Sequence, residues 1–290
     1  MPSTRILVHG GASPDFWRQA TAEVRQQAHR GLQAACAAGA AVLQRGGPAC
    51  AAVCAAVVVL EDDPLFNAGT GAVRTSAGTL ELDAALMDGA TARSAAIAGV
   101  TSLLNPIDGC RRMLEHVRPI FMWGPHAERR CLELGAARRV TDGPVPGDAY
   151  AAGTVGAVAL DAQGQLAAAT STGGLAGKMP GRIGDTPVIG AGTWADGSCA
   201  VSCTGDGEFF IRRAVAHTVA TATSGESPTA VLARVLASVQ QLGGMGGIIV
   251  LRADGRLAAG VVDGDIARGW WSPESGHRSG LLAGDPWPEA

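Results

Sequence analysis

The segment GDAYAAGTVGAVALDAQGQLAAATSTGG, residues 147–174, carries the pattern that decides the fold. Small residues run up to Gly153-Thr154 and then give way to two apolar runs, with a turn at 162–164 between them. Apolar runs of this length around a Gly-containing turn predict two antiparallel strands. Thr154 therefore stands where an irregular segment meets a strand, and the second strand ends in a cluster of hydroxyl groups.

Residues 139–153, RVTDGPVPGDAYAAG, contain two Pro and three Gly without periodicity, which predicts a linker. A threonine hydroxyl is a poor nucleophile unless a base takes its proton, and an α-amine on the same residue, with a reference pKa of about 7.7–8.0, is such a base. That amine exists only if the Gly153-Thr154 bond is cut. The residues alone leave two alternatives open, an ordinary strand-starting threonine and a hidden chain terminus.

Outside this segment, strands and helices come in blocks, which favours antiparallel sheets layered with helices over a βαβ array. Strands are expected at 5–12, on both sides of a turn at 76–78, and at 94–100, 119–124, 188–195, 199–205 and 246–260. Helices are expected at about 17–45, 49–62, 105–117, 126–136, 207–222 and 228–241.

The composition excludes several classes of protein. The 290 residues are 47% apolar, enough for a sizeable core, and the net charge of -3 gives no reason to expect a nucleic-acid or anionic-membrane partner. No run of 18 apolar residues occurs, so no membrane span is expected. The seven cysteines include no C-x-x-C pair and predict buried, reduced thiols. With no apolar signal-peptide core at the N-terminus, we expect a cytoplasmic location.

Common site motifs are weak or missing. GAGTWA at 190–195 formally matches G-x-G-x-x-A, but Asp-Gly-Ser follows it where a helix is required. The six histidines lack metal-ligand spacing, and the sequence has no G-x-S-x-G elbow. His9, next to two glycines, is more typical of a hydrogen-bonded structural residue than of a base.

Two further stretches carry polar groups suited to chemistry. GRIGDTP holds Arg182 and Asp185, which form either a solvated loop ion pair or a clamp for the carboxylate and ammonium of an α-amino acid. SCTGDGE, residues 202–208, is either a simple strand-to-helix turn or, through Thr204 and Gly205, an oxyanion-binding turn.

Taken together, the block GTVGAVALDAQGQLAAATSTGG…PGRIGDTPVIGAG…AVSCTGDGE resembles the plant-type L-asparaginase/isoaspartyl peptidase family of N-terminal-nucleophile hydrolases. VHGGA, LEDDPLFNAGTGAV and LELDAALMDG agree in the first half, and the resemblance runs from residue 5 to about 250. It implies an α+β fold, a four-layer αββα sandwich. It also implies one precursor that yields an α chain, 1–153, and a β chain, 154–290, together one domain.

The resemblance implies a role for each residue of a catalytic set. Thr154 is the nucleophile freed by autocleavage after Gly153, and Thr172 hydrogen-bonds and tunes it. Thr204 and Gly205 form the oxyanion hole, and Asn67 orients the scissile group.

For substrate binding, the resemblance implies that Arg182 clamps the α-carboxylate and that Asp185 receives the α-ammonium with the Gly207 carbonyl. It implies hydrolysis of β-aspartyl peptides and L-asparagine, self-association as a dimer of αβ heterodimers, and no cofactor for catalysis. The alternatives are a glycosylasparaginase-type amidase and an unprocessed binding relative.

The resemblance also implies a structural sodium loop built from backbone carbonyls, the type of oxygen ligand that hard cations favour. Its members are Leu60, Glu61, Asp63, Phe66, Ala68 and Thr70. The chain departs from the family pattern in a short linker before Thr154 and in Asp206, which adds a negative charge near the pocket mouth.

Overall fold

The computed structural model describes residues 3–139, 153–223 and 225–288. The helices are α1 (Phe16–Gln19), α2 (Ala22–Gln44), α3 (Ala49–Asp62), α4 (Pro106–His116), α5 (Gly124–Glu133), α6 (Gly207–Arg213), α7 (Val215–Ala222) and α8 (Pro228–Gln240), and a 3₁₀ helix covers Gly69–Gly71. The strands are β1 (Arg5–Ser13), β2 (Leu82–Asp88), β3 (Arg93–Val100), β4 (Phe121–Trp123), β5 (Val155–Leu160), β6 (Leu166–Thr172), β7 (Thr193–Ala195), β8 (Cys199–Gly205), β9 (Gly246–Arg252), β10 (Leu257–Val262), β11 (Asp265–Ser272) and β12 (Gly276–Gly280).

The β5–β6 hairpin lies at the centre of an eight-stranded sheet with the order β12-β11-β1-β5-β6-β2-β3-β4. All its neighbouring strands are antiparallel except β3 and β4. Asp161 closes the hairpin, because its carboxylate accepts the backbone N–H groups of Gln163 and Gln165 at 3.0 and 2.9 Å. The other oxygen of Asp161 accepts the Ala49 N–H at 2.9 Å and so anchors the first residue of α3 to the hairpin.

A second sheet of four strands, β10-β9-β8-β7, lies against the first. Between them is a core that includes Leu7, Val158 and Ile249. The opposite face of β5 carries Val155, Ala157 and Ala159 into another core under α2, α3 and α4. Because β5 is buried on both faces, its sequence is apolar throughout and does not alternate with polar residues.

The helices cover the outer faces of the two sheets. Helices α2 and α3 pack on β1, β5 and β6 of the larger sheet, and α7 and α8 pack on β8, β9 and β10 of the smaller one. The packing of α8 and β9 buries Val235 and Val250 in a third apolar cluster. The mixed α and β architecture with mainly antiparallel sheets agrees with the prediction from sequence.

Several predicted boundaries are wrong for local reasons. The helix expected at about 17–45 is two helices, because Thr21 accepts the Val24 N–H and begins a new one. The helix expected at 207–222 breaks at Ala214, which adopts a left-handed conformation with φ of 45°. Residues 71–80 contain a single bridge, from Arg74 to Leu80, and not a strand.

In the second half, only 193–195 of the predicted strand 188–195 is extended, since 188–192 form a turn. Strands β11 and β12 were not predicted. Most of the predicted linker, 140–152, lies outside the described residues, and Arg139 and Gly153 are within them.

The cysteines are free thiols, as expected, and six of the seven are buried while Cys50 is partly buried. Within the described ranges, no helix combines the length and the apolar character that crossing a bilayer requires.

Candidate active site

Thr154 and Thr172 face each other across the open end of the hairpin. The β5–β6 register pairs Val155 with Ser171, which places Thr154 opposite Thr172 one residue further on. The Thr154 hydroxyl donates to Thr172 Oγ1 at 3.0 Å, and the same oxygen accepts the Gly174 N–H at 2.9 Å. Thr154 is 9% exposed and Thr172 is 2% exposed, so the pair is almost shielded from water.

Thr204 approaches the same point from the second sheet. It lies near the end of β8, is fully buried, and accepts the Ala12 N–H on Oγ1 at 3.2 Å. A Cβ atom added to Gly153 would lie 3.1 Å from Thr204 Oγ1, so this hydroxyl adjoins the peptide that precedes Thr154. Gly205 ends β8 and pairs with Gly246.

Gly153 fits because Gly11 leaves it room. Gly11 has φ of 102°, and a Cβ atom there would lie 2.4 Å from the Gly153 nitrogen. The Gly153-Thr154 peptide therefore packs directly against Gly11 of strand β1.

A charged group of residues lies at the other end of the pocket. The Arg182 guanidinium donates two hydrogen bonds to the Glu208 carboxylate, at 2.9 and 2.8 Å. Of the two alternatives for this stretch, the structure does not show the Arg182–Asp185 ion pair among the described residues, because Glu208 at the start of α6 pairs with Arg182 instead.

Asp185 is 4% exposed, and its Oδ2 has no hydrogen-bond partner among the described residues. Burial raises the pKa of Asp185 to about 7, while the charge of Arg182 opposes this shift. Gly207 lies behind this residue, since a Cβ atom there would be 2.7 Å from the Asp185 nitrogen. A buried carboxylate oxygen without a partner is an acceptor available for a cation.

The predicted residues meet in one cavity of about 270 Å³. Its walls include Gly153, Thr154, Thr172, Thr204, Gly205, Asn67, Arg182 and Asp185. Gly207 is not among the described lining residues and packs against Asp185, and the expected contact of its carbonyl with the α-ammonium stays a prediction.

The family model described as asparaginase matches residues 2–142 and 136–279 of this sequence. The chain belongs to the asparaginase family. It is 39% identical to an isoaspartyl peptidase of Escherichia coli (strain K12), over 91% of this chain and 92% of that protein. It is 37% identical to an isoaspartyl peptidase of Salmonella typhimurium, over 91% of this chain and 94% of that protein. It is also 37% identical to an isoaspartyl peptidase/L-asparaginase of Bos taurus, over 87% of this chain and 88% of that protein.

In this asparaginase-family chain, the amide of Asn67 is engaged with backbone groups. It donates to the Gly174 carbonyl at 2.6 Å and accepts the Val73 N–H at 3.0 Å. The backbone carbonyl of Asn67 also accepts the Gly173 N–H at 3.0 Å. Asn67 thus fixes the pocket wall beside Thr172, and its expected contact with the scissile group stays a prediction.

The predicted sodium loop begins at the C-terminal end of α3. The carbonyls of Leu60 and Glu61 lie in the last helical turn, where carbonyl groups lack intrahelical donors. Those of Asp63, Phe66 and Ala68 each accept one backbone N–H group, which leaves a lone pair on each oxygen. Carbonyl donors of this kind fit a hard cation.

The side chain of Glu61 is directed elsewhere. It accepts the Ser171 hydroxyl at 2.6 Å and the Ile107 N–H at 3.0 Å, and burial raises its pKa to about 8. Among the described residues, no three His, Cys, Asp or Glu side chains cluster as metal ligands.

Two buried groups behind the site were missed by sequence reasoning. Asp83 pairs with Thr172 in the β2–β6 register, and burial raises the pKa of its carboxyl to about 6 while Lys178 and Arg182 oppose the shift. Lys178 is 5% exposed and donates to the Glu81 carbonyl at 3.0 Å. The pairing of β2 with β6 brings Asp83 beside Thr172, so no local signal marks Asp83, whereas Lys178 lies six positions after Thr172 with its side chain against Gly174.

His9 lies under the nucleophile strand as a structural residue. Its Nε2 is 2.9 Å from Ser202 Oγ, and that hydroxyl continues to Thr170 at 2.8 Å and from there to Thr193 at 2.7 Å. Burial lowers the pKa of His9 to about 3, so the ring is neutral. This agrees with the expectation of a hydrogen-bonded histidine, and the hydroxyl chain ties the two sheets together beneath the pocket.

Proposed function

We propose that this chain is a self-processing threonine hydrolase that releases L-aspartate from β-aspartyl peptides and from L-asparagine. The observation that carries the proposal is the Thr154–Thr172 hydroxyl pair, 3.0 Å apart, directly after Gly153. Both hydroxyls line a pocket that also holds Asp185, one oxygen of which has no partner among the described residues. The names of the relatives, isoaspartyl peptidase and isoaspartyl peptidase/L-asparaginase, support the same substrate class.

The first reaction acts on the chain itself. Thr154 Oγ1 attacks the Gly153 carbonyl, the Gly153-Thr154 C–N bond breaks, and the hydroxyl proton passes to the Thr154 nitrogen. Water then hydrolyses the resulting ester, which leaves a Gly153 carboxylate and a free α-amine on Thr154. Thr204, next to Gly153, is placed to donate its hydroxyl to the oxyanion that forms.

Strands from both proposed chains alternate in the larger sheet. β5 and β6, from the β chain, lie between β1 and β2 of the α chain. We therefore propose one four-layer αββα unit of the N-terminal-nucleophile hydrolase type, in which the two chains stay associated after cleavage. Pairing of two such units as a dimer remains part of this proposal.

The second reaction acts on the substrate. The freed amine takes the Thr154 hydroxyl proton, and Oγ1 attacks the β-carbonyl carbon of the aspartyl group. The collapse of the tetrahedral intermediate breaks the C–N bond and passes the proton to the leaving amine. Water then hydrolyses the aspartyl ester and releases L-aspartate.

The ionic groups position the substrate for this attack. Asp185 accepts the α-ammonium, and Arg182 turns from Glu208 to the α-carboxylate, which it binds in the same bidentate manner. Fixing both α-groups holds the β-carbonyl against Thr154, the type of positioning that lowers the activation barrier.

We further propose that the carbonyls of Leu60, Glu61, Asp63, Phe66, Ala68 and Thr70 hold a sodium ion. Bound there, the ion would stiffen the loop that carries Asn67.

The test is aspartate release by the purified, matured chain from an isoaspartyl dipeptide, from L-asparagine and from N-glycosylated asparagine, with Thr154→Ala as the control. We expect release from the first two and none from the control. Preferential release from the glycosylated substrate would favour the glycosylasparaginase alternative. An uncut chain that releases no aspartate from any of them would favour the non-catalytic relative.

A further inference from the structure

The charges of the described residues that line the pocket do not sum to zero. Among the described residues that line it, three are charged: Arg182, Asp185 and Asp206. The proposed function uses Arg182 and Asp185 against the opposite charges of the aspartyl α-group. Asp206 has no counterpart in that scheme, so its carboxylate remains when the α-group is bound.

The carboxylate of Asp206 is fixed in place by the backbone. Its Oδ2 accepts the Met245 N–H at 3.0 Å, and the Asp206 N–H donates to the Met245 carbonyl at 3.0 Å. This two-way bond holds the side chain on the side of Met245, a residue that also lines the pocket.

Asp206 and Asp185 are held by different contacts. Gly207, the residue after Asp206, packs against Asp185, whereas the Asp206 side chain is bonded to Met245. Asp206 directly follows Gly205, the residue at the proposed oxyanion position, and both line the pocket. Because the aspartyl α-group is assigned to Arg182 and Asp185, the Asp206 carboxylate is left to act on the rest of the substrate.

We propose that Asp206 sets the leaving-group preference of this pocket, in which it disfavours β-aspartyl substrates whose leaving amine carries a carboxylate. This inference rests on the proposed function. A leaving amino acid with a free α-carboxylate brings a second negative charge to Asp206. Arg182 is the one cation among the described lining residues, and it is already bound to the aspartyl α-carboxylate. Amides and dipeptides with a neutral C-terminus avoid this repulsion.

A matched pair of substrates isolates the charge. β-Aspartyl-glycine and β-aspartyl-glycinamide differ only in the group that ends the leaving residue, so their kcat/KM ratio measures the response to a carboxylate. Asp206→Asn removes the charge and keeps an oxygen that accepts the Met245 N–H. We expect this variant to shift the ratio toward the glycine substrate by roughly three- to tenfold, the size of a like-charge contact at a partly solvated site.

Asp254→Asn is the control variant, since it removes one carboxylate from a turn where Asp254 pairs with Arg252 and Arg256. It should leave the ratio at the wild-type value. A ratio that Asp206→Asn leaves unchanged would overturn the inference. So would an equal shift in both variants, because the effect would then follow net charge and not position.

Salt gives a second readout that needs no mutation. Raising the ionic strength from about 0.02 M to about 0.5 M screens exposed charges. In the wild type, kcat/KM for β-aspartyl-glycine should therefore rise relative to kcat/KM for β-aspartyl-glycinamide. A ratio that does not change with salt would contradict the inference even if Asp206→Asn failed to mature. Failure of the proposed function has a different signature, because neither substrate would then release aspartate.

Discussion

The two ends of the pocket are built in different ways. The hydroxyl wall, Thr154, Thr172 and Thr204, consists of neutral groups at the ends of buried strands. The ionic end consists of Arg182 and Asp185, which line the pocket from a loop, and of Glu208 on the first turn of α6, which is not among the described lining residues but holds Arg182. In the ionic end, Arg182 is paired with Glu208, so under the proposed function it exchanges one carboxylate for another when substrate binds.

This difference separates two tasks. Cleavage of the Gly153-Thr154 bond presents no free α-amino or α-carboxylate group, so the proposed mechanism requires only the hydroxyl wall for it. Hydrolysis of a β-aspartyl substrate requires both ends in the same mechanism. Variants of the two ends should therefore divide by whether the precursor still matures.

Thr154→Ala should have the largest effect. It removes the nucleophile of both reactions, so we expect one full-length band on a denaturing gel and no detectable aspartate release. Thr154→Ser keeps a hydroxyl and should still be cut. If Thr154→Ala still gave two fragments cut at the Gly153-Thr154 bond, the hydroxyl wall would not be required for maturation.

Thr204→Ala should have the second-largest effect on turnover. Loss of one oxyanion donor typically lowers turnover by about 10²–10³. The structure adds a second effect of Thr204→Ala, since the Ala12 N–H loses its acceptor in a buried place, at a cost of roughly 1–3 kcal/mol in the free energy of unfolding.

Thr204→Ser keeps both the donor and the acceptor, so matured Ser enzyme should retain most of the turnover and stability that Ala loses. Turnover and thermal unfolding of the two matured variants check this. Equal turnover in the Thr204→Ser and Thr204→Ala enzymes would show that the Thr204 hydroxyl takes no part in catalysis.

Arg182→Ala tests the ionic end. The lost bidentate contact should lower kcat/KM for β-aspartyl substrates by roughly 10- to 100-fold, while the precursor is still cut. Glu208→Gln is the matched control, because it disrupts the same ion pair and keeps the guanidinium. If Glu208→Gln lowered kcat/KM as much as Arg182→Ala, the ion pair itself, and not the substrate contact, would be the important feature.

The pH profile should show the smallest effect, a change of slope. The pKa of Asp185 is raised to about 7, so below that pH its carboxyl gains a proton and loses the charge that holds the α-ammonium. The Thr154 amine, with a reference pKa of about 7.7–8.0, must also be unprotonated. On the acid side, log kcat/KM of the matured wild type should fall with a slope of about two, and that of Asp185→Asn with a slope of about one. A slope of one in both enzymes would show that Asp185 does not titrate in the reaction.

The sequence was most informative where contacts are local. The β5–β6 hairpin follows from two apolar runs and a Gly turn, and its register then brings Thr154 opposite Thr172. Arg182 and Asp185 were identified because they share a short glycine-rich stretch, although the pairing of Arg182 with Glu208 was not.

Contacts between distant segments could not be read from local pattern. Glu208 lies 26 positions from Arg182, and Asp83 reaches Thr172 only because β2 pairs with β6. Strands β11 and β12 were missed for a related reason. β11 is buried along its whole length and its run DIARGWWS includes charged residues, so neither alternation nor a continuous apolar run marks it.

The central claim is that Thr154 becomes a chain terminus. The most direct measurement is the intact mass of the purified wild-type protein after incubation and denaturation, with sequencing of the first residue of each fragment. We expect two fragments, one that ends at Gly153 and one that begins at Thr154, from a protein whose native size has not changed. A single full-length mass in a preparation that releases aspartate at full rate would contradict it.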